Sequence, residues 1–360
     1  MKKRLLAAFL ITCMGITVFA GCREKQNDKT NDSATVSEAS GDEVDTTSEA
    51  TPEVFNEAEH LNIALQPIPG YLPITVMQDN GWLEEALAEA GYENIRVDYT
   101  EFESGPPERE AVTAGSQDIG VMGNVPTIAG VGDGEHLYIL GVAYNGPKTE
   151  AVIVPNNSGI SSVGELKGKN VGLVVGSIAQ DYFFRLLKQN GMTMEDVNLV
   201  DTGLSAQLEA LSTGKVDAIV TWQPVVAKAQ HESIGKIIAD GTNVYKCENL
   251  VFGNMEYVEL NPEIVQIFFQ QYARAAKEVT DNREKYAAEY ADKYGLDSAV
   301  LASVLETINY QVTIGGEDIR DFQDTADWLY SAGTISEKVY VDEFVYDRFA
   351  NDSSVSTLLQ

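Results

Sequence analysis

Cysteine is scarce: the 360-residue chain has three, Cys13, Cys22 and Cys247. Histidine is as rare, and His60, His136 and His231 stand isolated, none at metal-ligand spacing from a partner. A disulfide scaffold and a His/Cys metal centre are thereby excluded. Basic residues are also few, 25 Lys and Arg against 55 Asp and Glu, for a formal net charge of −30. That balance excludes a nucleic-acid surface. It favours solubility and leaves the sign of any ligand open, because helix ends act locally. Catalytic signatures are missing too. There is no GxSxG. Gly168-Lys169-Asn170 and Gly214-Lys215-Val216 lack the Ser/Thr and upstream glycine of a phosphate loop. Gly130–Gly134 follows a helical stretch and reads as its closing turn. The carboxylates are scattered. The chain therefore reads as no enzyme, with no cofactor or metal implied.

A long apolar run occurs in one place. Leu5–Ala20 follows Lys2, Lys3 and Arg4 and ends at Gly21-Cys22. It is short for a membrane-spanning helix and has the layout of a secretory signal. Val18-Phe19-Ala20-Gly21-Cys22 matches a bacterial lipobox. Residues 1–21 are thus expected to be a lipoprotein signal peptide and Cys22 the lipidated residue, which anchors the chain to the outer face of the cytoplasmic membrane. Residues 22–59 are rich in Ser, Thr, Asn, Asp and Glu with few large apolar residues. Such a segment cannot bury enough surface to offset the entropy of ordering, and a disordered acidic tether is expected. Cys247 is then left without a partner and reads as a packed thiol.

The remainder is long enough for one large core or two domains. Leu61–Leu65, Ile95–Tyr99, Ile119–Met122 and Leu137–Ala143 read as strands, with helices such as Pro73–Asp79 and Trp82–Ala90 between them. A second block repeats the logic, with strands at Ala151–Val154, Val171–Val175, Val197–Val200 and Val216–Thr221. Alternation of this kind implies an α/β fold with largely parallel sheets covered on both faces. Two similar blocks imply two lobes facing each other over a cleft, with 60–147 and 250–350 in the first and 148–249 in the second. Leu250–Met255 reads as a strand returning to the first lobe. The rest is helical. Asn261-Pro262-Glu263 opens a helix with a wide apolar face, and Tyr310–Gly316 reads as a loop.

Five strand–loop–helix junctions stand out: Gln66–Tyr71, Ser104–Pro107, Gly123-Asn124, Gly176–Gln180 and Trp222–Pro224. For any one of them ordinary turn chemistry is the plainer explanation. Together, at the carboxyl ends of strands in two lobes, they describe a cleft that binds a small molecule. None carries Lys or Arg. A bound anion would be held by neutral amide and hydroxyl donors at helix N-termini. Tyr71 and Trp222 are the aromatic candidates, as a cleft wall or as core packing.

Several of these stretches carry a family resemblance. Glu101-Phe102 with Gly105-Pro106, then Gly115-Ser116 through Asp118-Ile119-Gly120 to Gly123-Asn124 and Pro126, resembles the sulfonate, taurine and nitrate branch of periplasmic-type solute-binding proteins, which includes thiamine-precursor binders. Ala151–Pro155, Val163–Gly172, Gly176-Ser177, Gly214–Ala218 and Trp222 with Pro224 continue it to about Tyr346. The resemblance implies a type II periplasmic-binding-protein-like fold, two lobes joined by two crossing strands, with the hinge near Gly146–Glu150 and Asn249–Asn254. It implies ligand contacts from Gln66, Ser104, Gly105, Pro106, Gly123, Asn124, Ser177, Ile178, Ala179 and Trp222. It also implies a monomer that delivers its small-molecule ligand to an ABC permease. Many relatives have Asp or Glu where this chain has Gln223, so Gln223 joins the candidates as a place where specificity differs. The first expectation is a small anion such as an alkanesulfonate, taurine or nitrate. A thiamine pyrimidine precursor, a cofactor-biosynthesis enzyme on the same fold, and a sensor without a permease are the alternatives.

Overall fold

The computed structural model describes residues 59–360. The expected signal peptide, the lipidation at Cys22 and nearly all of the tether lie outside the described residues. Ten strands follow in chain order. They are β1 His60–Leu65, β2 Arg96–Glu101, β3 Ile119–Gly123, β4 Leu137–Tyr144 and β5 Glu150–Pro155. Then come β6 Asn170–Leu173, β7 Asn198–Asp201, β8 Ala218–Trp222, β9 Gly235–Asp240 and β10 Asn249–Asn254. They form two five-stranded sheets, ordered β2-β1-β3-β10-β4 and β7-β6-β8-β5-β9. The chain crosses from the first sheet to the second between β4 and β5, and returns between β9 and β10.

The central strands are largely apolar because helices cover both faces; every residue of β3 and of β8 is buried. Edge strand β2, by contrast, carries Arg96, Asp98 and Glu101, the kind of charged edge that resists pairing with another chain. Largely parallel sheets were expected, and both sheets are mixed. β1 runs parallel to β2 and β3, and β6 parallel to β7 and β8. β10 is antiparallel to β3 and β4, and β5 antiparallel to β8 and β9. The cause is the crossover. A strand that enters its lobe from the other lobe starts at the cleft, where the parallel strands end, and must run back against them. Glu150 at the start of β5 accordingly pairs with Trp222 at the end of β8, and Asn249 at the start of β10 with Gly123 at the end of β3.

The sequence reading did not identify β9. It also took Tyr310–Gly316 as a plain loop, whereas Asn309 and Val312 make isolated bridges to Asn145 and Val142 beside β4. The C-terminal region is otherwise helical. Helix Pro262–Asp281 starts with proline in its first turn, where a missing N–H costs nothing. It buries Val265, Phe268, Phe269 and Tyr272 against the first lobe. Helix Arg283–Tyr294 stops at Gly295, whose φ of 62° is left-handed and suits glycine at a helix end. Among the described residues no helix is long and apolar enough to cross a membrane.

The join between β3 and β10 is tight. Phe252 lies opposite Gly120, and its ring occupies the space a side chain there would take. A Cβ at position 120 would overlap Phe252 Cε1 and lie 2.9 Å from Glu108 Oε1. Gly120→Ala is expected to lower stability by about 1–3 kcal/mol, read as a shifted midpoint in urea unfolding. An unchanged midpoint would show that Phe252 can move aside freely.

Candidate functional site

The carboxyl ends of the parallel strands and the starts of β5 and β10 line a small cavity, about 10 Å³ to the centres of water-sized spheres. From the first lobe Gln66 and Ile68 follow β1, Gly123 ends β3, and Gly105 and Pro126 come from the first turns of helices Gly105–Thr113 and Asn124–Gly132. From the second lobe come Trp222 at the end of β8 and Ser177-Ile178 at the start of helix Ile178–Gln189. Tyr144, Glu150 and Asn249, where the chain leaves and enters the sheets, form the floor.

The lobes touch around this cavity. A Cβ at Gly123 would lie 2.7 Å from Ile178 Cβ, so glycine is what permits this approach. Glu103 Oε1 accepts from Ser205 N at 3.1 Å and from Ser205 Oγ at 2.8 Å. Farther back, Thr325 Oγ1 accepts from Arg185 Nη2 at 2.8 Å and donates to Asp181 Oδ2 at 3.1 Å, and Asn124 Nδ2 donates to the same hydroxyl. Lys246, on the return crossover, lies 3.0 Å from Asp318 and 3.2 Å from Glu317.

Six of the residues singled out in the sequence line the cavity together: Gln66, Gly105, Gly123, Ser177, Ile178 and Trp222. The other six sit beside it. Tyr71 is buried behind the floor, donating to Asn249 Oδ1 at 2.7 Å and packed edge-on against Tyr144 at 5.6 Å. It positions two floor residues and forms no wall. Ser104 is the N-cap of its helix, and Ala179 is buried in the first turn of its own. Pro106 packs across the lobe boundary toward Gly176, and Asn124 faces Thr325. Gln223 accepts from Ala227 N at 3.1 Å through Oε1, capping helix Val225–His231. Its side chain therefore serves a helix start. Pro126, Tyr144, Glu150 and Asn249 were not foreseen as cleft residues, and Ile68 only as part of the Gln66–Tyr71 junction. Glu150 and Asn249 bore a signal all the same: each is polar and opens an apolar strand at a hinge.

Among the described residues no Lys, Arg or His lines the cavity. Most of its polar atoms are committed. Gln66 Nε2 donates to Glu108 Oε2 at 2.8 Å, and Val121 N donates to Glu108 Oε1 at 2.8 Å. Ser177 Oγ donates to Val174 O at 2.6 Å. The helix mouth at Gly105 is poorer in donors than a typical one, because Pro106 and Pro107 have no N–H. The first-turn amides at Ile178 and Ala179 have no such loss. Among the described residues Trp222 Nε1 is buried without a partner, an arrangement that buried donors avoid unless a ligand or water meets them. Glu150, also buried, accepts from Tyr245 Oη at 3.1 Å. Burial, opposed by that hydrogen bond and assisted by nearby Asp181, pushes its carboxyl up to about 8. Burial does the same to Glu108, up to about 8, and to Glu248 beside Asp318 and Asp321, up to about 9. Cys247 is a buried free thiol, pushed well up by burial and inert as a nucleophile. Among the described residues no cluster of His, Cys, Asp or Glu could hold a metal ion.

Comparison with known proteins agrees with this geometry. Residues 69–285 match the model of the NMT1/THI5-like family. A Bacillus subtilis (strain 168) protein, provisionally named an aliphatic sulfonates-binding protein, is 29% identical over 280 residues, 77% of this chain and 83% of that one. The taurine-binding periplasmic protein of Escherichia coli (strain K12) is 24% identical over 237 residues, 64% of this chain and 68% of that one. Among solved structures, the periplasmic aliphatic sulphonate binding protein SsuA from Escherichia coli is similar with a TM-score of 0.70 and 27% identity, over 82% of this chain and 99% of that one. The α/β periplasmic-binding-protein plan expected from the sequence is thus the observed fold.

The buried acids give stability a definite pH dependence. Glu108, Glu150 and Glu248 have folded values raised above an ordinary carboxyl's 4.5. Between the unfolded and folded values the native state binds more protons, so stability falls as pH rises. The contribution is complete below about pH 4.5 and is lost progressively up to about 8–9. The melting temperature is expected to fall from pH 5.5 to 8.5, and Glu108→Gln to flatten the slope. A melting temperature that rises across this range would contradict the assignment.

Proposed function

The chain belongs to the NMT1/THI5-like family, and from that premise we propose that it is the solute-binding component of an ABC importer, capturing a small sulfonate-type anion in the interlobe cleft. The observation that carries the reading is the indole N–H of Trp222, buried and unpartnered in a cavity that has no cationic side chain. An anion there is met by that N–H and by the first-turn amides at Ile178 and Ala179, neutral donors at a helix start. The proteins it resembles bear the names of binders of aliphatic sulfonates and taurine, which supports the same class. Closure over the ligand presents one joined face of the two lobes to the permease. Cys22 holds the domain at the outer face of the membrane, and Cys22→Ala is expected to shift the chain from the membrane fraction to the medium. Retention of the variant in the membrane would remove the anchor from the account.

The ligand class is tested by calorimetry with taurine, alkanesulfonates, nitrate and pyrimidines. A specific ligand at a hundredfold its Kd stabilises the fold by about 2.7 kcal/mol, so thermal shift is a second readout. Sulfonates are expected to bind. Trp222 also belongs to the core, so Trp222→Ala would mix lost binding with lost packing. Trp222→Phe keeps a ring, removes the N–H and is expected to weaken sulfonate binding about tenfold or more. Binding by pyrimidines alone would keep the cleft and overturn the anion.

A further inference from the structure

We infer that Glu150 is a specificity-determining residue, selecting ligands that carry an ammonium or other N–H donor beside the sulfonate and disfavouring plain anions. This deepens the function proposed above and rests on it. Glu150 and Trp222 are direct cross-strand partners, β5 against β8. Residues opposite each other in an antiparallel pair project from the same face of the sheet, and both line the cavity. One brings a donor and the other an acceptor. Trp222 Nε1 has no partner. Glu150 is 1% exposed and receives one hydrogen bond among the described residues, from Tyr245 Oη to Oε2. That hydroxyl is shared with Ile178 O at 3.3 Å.

A buried carboxyl needs better company than this. The cation nearest in role, Arg185, is already taken: it bonds Asp181 Oδ1 at 2.8 Å and Thr325, and lies 5.1 Å from the centre of the Tyr245 ring. The cavity lining has no Lys, Arg or His to balance Glu150. A bare sulfonate would satisfy the indole and, once Glu150 is ionised, set a second negative group beside it. A zwitterion satisfies both, sulfonate to indole and ammonium to carboxyl, and cancels its own charge in a site of low dielectric.

The test is calorimetry on the full chain with taurine and with ethanesulfonate, which has the same carbon chain and no amine. Taurine is expected to bind about tenfold or more tightly. In Glu150→Gln the ratio of the two affinities is expected to fall to about one, and in Glu150→Asp, which keeps a carboxyl that an ammonium can ionise, to remain well above one. Circular dichroism of each variant checks folding. Equal affinities in the unmodified protein, or a taurine preference that survives Glu150→Gln in the folded variant, would overturn the role of Glu150 and leave the sulfonate reading in place. Binding of neither compound would overturn the sulfonate reading, and this inference with it.

Discussion

Strands β5 and β10 each enter their lobe from the cleft and run back against parallel neighbours, and the arrangement of the site depends on that constraint. Pairing in this direction sets Glu150 opposite Trp222 and Asn249 opposite Gly123. The hinge is therefore also the floor of the binding cavity. Residues that connect the two sheets and residues that line the cavity are partly the same, so under the proposed function a ligand at the floor would touch the crossover segments themselves. A ligand shifts an open–closed equilibrium only by its differential affinity for the two forms. Gly105 and Gly123 come from one sheet's connections and Ile178 and Trp222 from the other's, so the cavity they line together is the place where a ligand would distinguish two arrangements of the lobes.

The charge of the whole chain and the charge of the cleft are separate matters. A net charge of −30 is a property of the surface. Inside, burial holds Glu108 and Glu150 up to about 8, which reduces their negative charge at neutral pH. The nearby cations are already paired, Arg185 with Asp181 of its own helix and with Thr325, Lys246 with Asp318 and Glu317. What remains for a ligand is an indole N–H, helix-end amides and one carboxyl. Oriented neutral donors in a closed site bind an anion without the desolvation cost of a buried cation.

Much of this was legible in the sequence, for identifiable reasons. Strand ends followed by Gly, Ser or Pro and then a helix mark the places where a chain turns at a sheet edge, and Gln66, Gly105, Gly123, Ser177, Ile178 and Trp222 were found that way. The misses have physical causes. Strand direction is a tertiary property, so the antiparallel course of β5 and β10 left no local trace. Edge strand β9, Gly-Lys-Ile-Ile-Ala-Asp, is half-exposed and short on period. Tyr71 sits in a junction like the others, and only the register of its neighbours turns its hydroxyl to Asn249 and away from the cavity. Gln223 is adjacent to Trp222, yet consecutive residues at a strand end point to opposite sides, and it caps a helix. Glu150 was visible as the acidic opening of Ala-Val-Ile-Val, but its meaning depends on the cross-strand partner.

The claim at the centre of the account is that a buried indole N–H is the donor that meets the ligand. The chain has three tryptophans, Trp82, Trp222 and Trp328, whose indole groups can be followed separately by nitrogen-15 nuclear magnetic resonance. Trp82 lies outside the cleft under Arg274, 4.0 Å from its ring centre, and serves as the reference. Addition of ethanesulfonate or taurine to saturation is predicted to move the Trp222 indole signal downfield and leave that of Trp82 in place. A Trp222 signal that stays fixed while calorimetry records full occupancy would contradict the account, because the ligand would then be held elsewhere.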